Sequence, residues 1–314
     1  MNQHWAQIGE RGSLLGMRIM ITIDRWFGRW PFQLVLMPVI LWYFISHPLA
    51  RKASREYLQR QNPALRSRRL YCHWLSYRHF LAFGASLMDK IRAWSRGVND
   101  DLICGTGLSD FSRAVAGGQG GLVLVAHHGN LDIASALTER HPDLEITILM
   151  HTANAGKFNQ LIEQVSGRRR PDILEVSQIT PATAQKLDAL ISRGGFVIIA
   201  ADRTPHSSGR SRTHNFLGAP ALFPEGPFLL ASLLRCPIYT LSCVRYGERF
   251  RIDFEPFDDT RQLKRQERAQ WLHTAGEQFA QRLEQQVNQA PLQWFNFYPF
   301  WHIHDDEHDN ATSR

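Results

Sequence analysis

The chain has 314 residues, 44% of them apolar, enough to fill one large core or two smaller ones. Positive charge dominates, 36 Lys and Arg against 29 Asp and Glu, and only five of the 36 are lysine. Arginine's planar fork suits phosphate and carboxylate groups, so the excess points to anionic partners. No recognised nucleic-acid motif or aromatic-basic repeat accompanies it, which argues against nucleic acid and for an anionic membrane surface or an acidic protein. Cys72, Cys104, Cys236 and Cys243 form no Cys-x-x-Cys pair, the pattern of a reduced, cytosol-facing chain.

The first element is apolar. Phe32 to Ile45 is interrupted only by Gln33 and Pro38, and a broken apolar stretch over 14–27 precedes it. Fourteen helical residues span about 21 Å, short of the ~30 Å of bilayer hydrocarbon. Trp26, Trp30, Trp42 and Tyr43 favour the membrane interface, and Arg51, Lys52 and Arg55 follow directly. The expected structure is a helical hairpin or tilted anchor within residues 1–60, with a buried core helix as the competing reading. A cleaved signal peptide does not fit, because Arg, Asp and Trp crowd the apolar stretch.

Next, Leu70, Trp74, Tyr77, Leu81, Gly84, Met88 and Ile91 recur at helical spacing. Strand candidates then alternate with helical patterns: strands at 122–126, 145–150, 173–176, 196–200 and 238–244, helices at 131–140, 157–166, 181–193 and 226–235. Phe250–Phe254 is expected as an antiparallel edge strand, and Leu272, Ala275, Phe279, Leu283 and Val287 mark a long late helix. This order predicts an α/β fold, a mixed, mostly parallel sheet flanked by helices, with an N-terminal helical membrane anchor. The expected organisation is anchor helices over 1–60, one domain over 61–301 and a polar tail over 302–314.

One stretch carries more chemistry than the others. Gly121 to Ala126 is a short apolar run ending in His127 and His128, after which Gly129 and Asn130 turn the chain into a segment beginning Leu131-Asp132. A buried strand delivers His127 to the carboxyl edge of the sheet, where open α/β folds place ligands. Two readings of Asp132 are open on spacing alone. It caps a helix beside a half-buried histidine, or it meets His127 across the glycine turn and supports proton abstraction from an alcohol. Asp202 and Arg203 follow another buried strand, so they fall at the same edge; a local ion pair is the plainer explanation. Gly167-Arg168-Arg-Arg170 ends a helical pattern and reads as a solvated charge cluster. Glu225 reads as a helix-start residue. The tail from His302 to His308 holds potential metal ligands, but a polar terminus explains it and no metal is expected.

The segment His127-His-Gly-Asn-Leu-Asp132 resembles the His-x4-Asp/Glu motif of the lysophospholipid acyltransferase superfamily. Its nearest form is that of bacterial lipid A late acyltransferases, typically His-Phe-Gly-Asn-Trp-Glu. Gly167-Arg168, Ala201-Asp202-Arg203, Phe216-Leu-Gly-Ala-Pro220 and Pro291-Leu-Gln-Trp294 match further landmarks in order, the last with its Trp earlier than usual. The similarity covers roughly residues 115 to 301. The opening from Trp5 to Arg11 also resembles a bacterial branch of predicted acyltransferases. The resemblance implies an O-acyltransferase at the cytoplasmic face of a bacterial inner membrane. His127 would be the general base and Asp132 the group fixing its tautomer, with His128 packing nearby. It makes Arg168, Arg170, Asp202, Arg203, Asn130 and Gly129 candidates for substrate or oxyanion binding. It implies acyl-carrier protein or acyl-CoA as donor, a lipid acceptor and no cofactor. A hydrolase using the same pair, or a non-catalytic membrane-surface protein, are the alternatives.

Overall fold

The computed structural model describes residues 26, 29–134, 141, 143–150, 172–176, 180–204 and 210–301. Three helices lead: α1 (Arg29–Ser46), α2 (Pro48–Gln61) and α3 (Arg69–Arg96). They are followed by β1 (Ile103–Cys104), α4 (Gly107–Ala116), β2 (Gly121–Val125), β3 (Ile146–Met150) and β4 (Asp172–Glu175). Then come α5 (Pro181–Ser192), β5 (Phe196–Ala200), β6 (Ser211–Phe216), β7 (Ala219–Pro224) and α6 (Gly226–Leu234). The last elements are β8 (Pro237–Tyr246), β9 (Arg249–Asp259) and α7 (Arg268–Gln289).

Seven strands form one sheet in the order β1-β9-β8-β2-β5-β3-β4, parallel except for the β8–β9 pair. The expected mixed, mostly parallel sheet is therefore observed. One detail differs: β9 is not an edge, because the short β1 pairs alongside it. The hairpin of β6 and β7 forms a second, two-stranded sheet that the sequence reading did not anticipate. The predicted helix over 157–166 lies outside the described residues. Of the one over 131–140, the described part is a single 3-10 turn, Leu131–Ala134.

The sheet is covered on both faces, which is why β2 reads as an unbroken apolar run. Alternation sends Leu122 and Leu124 to one face, packed with Leu187 of α5, Leu230 of α6 and Phe279 of α7. Val123 and Val125 face the other way, toward Phe111 and Ala114 of α4. Each such side chain contributes roughly 1.5–3 kcal/mol on burial, so β2 is among the most firmly held parts of the chain. Helix α5 starts where the sequence predicted, at a capping box between Thr180 and Thr183 followed by Pro181.

Helix α1 is apolar on all sides. Its Leu36 and Ile40 pack on Phe80, Met88 and Ile91 of α3. Its other side leaves Leu34, Met37, Trp42 and Ile45 in the open, Trp42 at 68% exposure. The ridge of α3 that meets α1 continues beyond it to Trp74 and to Leu70, which is 88% exposed. No described helix is long and apolar enough to cross a membrane by itself. Leu34–Ser46 and Pro48–Gln61 reach that length and composition only as a pair, bent by 96°. The anchor expected from sequence is thus no single spanning helix among the described residues.

Candidate functional site

The site follows from the sheet register. Val125 of β2 and Ala200 of β5 are paired neighbours, and the ladder extends one step further as the Ala201 amide donates to the Val125 carbonyl at 2.9 Å. His127 and Asp202 each lie two residues past those paired positions. Two parallel strands therefore deliver an imidazole and a carboxylate side by side at the carboxyl edge of the sheet.

They meet there. His127 Nδ1 lies 2.8 Å from Asp202 Oδ1, and the His127 amide donates to Asp202 Oδ2 at 2.9 Å. The Trp294 indole N–H donates to the same Oδ2 at 3.2 Å. Asp202 is 1% exposed, whereas the His127 side chain is 39% exposed. A carboxylate only accepts, so Nδ1 carries the proton and Nε2 presents its lone pair. Among the described residues no group bonds to Nε2.

Electrostatics support that form. Burial and the Arg203 charge outweigh Asp202 and hold His127 below the usual imidazole range. Burial would push Asp202 up, but the paired imidazole, its hydrogen bonds and Arg203 prevail and hold the carboxyl below the usual range. The pair at neutral pH is a neutral imidazole oriented by an ionised carboxylate, the arrangement that general-base catalysis requires.

The partner of the His127 ring is thus Asp202 rather than Asp132. The Asn130 side chain accepts from the Asp132 amide at 3.2 Å, and the Asn130 backbone carbonyl accepts from the Ile133 amide at 3.2 Å to close the 3-10 turn Leu131–Ala134. That turn sends the Asp132 carboxylate to Lys90 of α3, at 2.9 Å. The groups of Gly129 and Asn130 bond within the fold. The Gly129 amide donates to the Gln293 carbonyl at 2.8 Å and the Asn130 amide to that of Cys243 at 2.7 Å. The Asn130 side chain also donates to the Ser86 carbonyl at 2.8 Å, leaving it buried as a brace. Arg203 donates to the Phe295 carbonyl at 3.0 Å beside the pair, with its guanidinium over the Tyr298 ring. Glu225 stands immediately before α6, as expected, and pairs with Arg212 at 2.6 Å. Arg168, Arg170 and the histidines of the tail lie outside the described residues.

His128 packs inward, as expected, 2% exposed, with Nε2 3.2 Å from the Ala290 carbonyl. Burial pushes it down to about 4, and His79 likewise to about 4. Unfolded imidazoles take up a proton near 6.5, so between about 6.5 and 4 the unfolded chain binds more protons than the folded one. Stability is then fully present above about pH 6.5 and declines as pH falls toward 4. The urea midpoint, measured in detergent, should drop over that window, and His128→Gln should flatten the dependence. An unchanged slope in that variant would show that His128 is not a source of it.

Trp294 stands in a landmark of the sequence, but nothing in the local pattern around it marks it as a donor to Asp202. Among known families, the model for bacterial lipid A biosynthesis acyltransferases matches residues 80–302, well over half of the chain. The protein belongs to that family and is an acyltransferase of the lipid A type. No curated protein sequence matches it.

Proposed function

We propose that the protein transfers a fatty acyl group from a thioester, carried by acyl-carrier protein or else by CoA, to a hydroxyl of a lipid or glycolipid acceptor. The observation that carries this reading is the His127–Asp202 pair, with Nδ1 held by the carboxylate, the side chain 39% exposed and Nε2 without a hydrogen-bond partner among the described residues. His127 takes the hydroxyl proton as the oxygen attacks the thioester carbonyl, the C–O bond forms, and the C–S bond breaks. The departing sulfur then recovers the proton from the imidazolium, which Asp202 stabilises meanwhile. Arg168 and Arg170, which the family resemblance brings forward, are proposed to hold the oxyanion or an acceptor phosphate. Purified protein should convert a labelled acyl-carrier thioester and bacterial lipid extract into an esterified lipid identified by mass spectrometry. Release of free fatty acid alone would replace transfer by hydrolysis.

Lipid contact is proposed through α1. Its uncovered Leu34, Trp42 and Ile45, with Trp74 and Leu70 beyond, suit the headgroup boundary of an anionic membrane at its cytoplasmic face. Replacing Leu34, Trp42 and Ile45 together by Glu should release the protein from anionic vesicles in a sedimentation assay. Binding equal to that of the parent protein would remove α1 from the contact.

A further inference from the structure

A chain of buried polar groups runs from the N-terminal helices to the back of the candidate pair, and its direction can be read. The Trp294 carbonyl can only accept, so His79 Nε2, 2.9 Å away on α3, must carry the proton and donate. His79 Nδ1 is then bare and accepts from the Ser54 hydroxyl of α2 at 3.0 Å. The Ser54 oxygen in turn accepts from Ser76 Oγ at 2.8 Å. Ser54, Ser76 and His79 are each 0% exposed, so no water substitutes for any of them. Tyr57 of α2 donates to the Pro291 carbonyl and stacks edge-on against Trp294, 5.0 Å between ring centroids.

We infer that Trp294 is a positioning residue for the His127–Asp202 pair, locked in place by this Ser76–Ser54–His79 chain. Asp202 has two oxygens and two duties. Oδ1 must meet His127 Nδ1, and that requires Oδ2 to be held elsewhere. The His127 amide and the Trp294 indole supply that hold from two directions, fixing the plane of the carboxylate. The indole also withdraws charge from Asp202, so it tunes how strongly the carboxylate favours imidazolium. Helices α2 and α3 thereby reach the chemistry through one buried side chain, without contributing a group to the reaction itself. The other charged and titratable groups beside the pair are Arg203, His128 and Tyr298.

Trp294→Phe keeps most of the ring and removes the N–H. With its charge undivided, Asp202 then stabilises imidazolium more, so the His127 titration should rise by roughly half a unit to one unit. Nitrogen NMR of the His127 ring reads this without any substrate. The inference rests on the transferase reading only for its kinetic arm, in which turnover should fall roughly ten-fold and the acid limb of the pH profile should move upward. Should Trp294→Phe fail to fold, His79→Leu tests the same link, since it removes the donor to the Trp294 carbonyl but little volume. His79→Gln, which retains a donor, should recover most of the loss. An unshifted His127 titration in folded Trp294→Phe, or in folded His79→Leu where only that protein is obtained, would reduce Trp294 to packing. Shifted titration with no transferase activity in the parent protein would instead leave the positioning role standing and remove the reaction.

Discussion

Asp202→Asn should cost nearly as much activity as His127→Ala, while Asp132→Asn should cost far less. Removing His127 deletes the proposed base, a role worth roughly 10²–10⁴-fold in rate. Asn at 202 keeps the shape of the carboxylate but offers an amide, whose N–H₂ faces Nδ1 unless it flips. Either the ring takes the wrong tautomer, with its proton on Nε2, or it loses the charge that stabilises imidazolium. Related triads lose activity on the order of 10⁴-fold by this change. Asp132 is 2.9 Å from Lys90, both side chains about a quarter exposed, so Asp132→Asn weakens a partly exposed ion pair and leaves the backbone bond of the turn in place. A decline of less than about ten-fold is expected there, roughly the effect of one modest interaction. Steady-state kinetics on folded variants decides between the carboxylates. Full turnover in Asp202→Asn together with collapse in Asp132→Asn would hand the orienting role back to Asp132.

The two candidates were not equally visible in the sequence, for a physical reason. The strand at 122–126 and that at 196–200 are legible as short apolar runs, and each is followed within two residues by a polar residue, His127 and Asp202. What the sequence leaves out is that those strands are neighbours. The order β8-β2-β5-β3 is set by packing between segments about fifty to well over a hundred residues apart, which no local pattern encodes. Asp132 stood out because it is near in sequence, yet the Asn130 side chain turns it away toward Lys90. The β6–β7 hairpin escaped notice because Ser211–Phe216 reads Ser-Arg-Thr-His-Asn-Phe, with little apolar alternation. Its turn, with positive φ at both Leu217 and Gly218, has an ordinary leucine where Asn or Asp would have signalled it. Trp294 was legible as a landmark but not as a donor to Asp202, because that contact spans 92 positions.

Gly129→Ala should be the most destabilising single-methyl change in the motif. Two effects combine at this position. Gly129 has φ of 76°, a conformation that costs a non-glycine residue about 1–3 kcal/mol. A Cβ there would also sit 1.9 Å from the Cys243 carbonyl oxygen and 2.7 Å from its carbon, both backbone atoms of β8. Neither can move aside as a side chain would, because Cys243 is paired with Ile252 of β9 and β8 is held by β2 up to Thr240, three residues before it. Relief would require lifting the loop, which breaks the bonds from Gly129 to Gln293 and from Asn130 to Cys243. The total should exceed roughly 4 kcal/mol, the range reserved for overpacked or strained sites. Gly218→Ala supplies the control, since its φ of 74° is nearly the same but its Cβ meets nothing within 4 Å. That variant should carry the conformational cost alone. Thermal melts of both proteins separate strain from collision: Gly129→Ala should lose roughly 10 °C or more, and Gly218→Ala only a few degrees. Equal losses would mean that the motif loop is free to lift off β8. The close approach of the two segments would then not be what fixes His127 at the sheet edge.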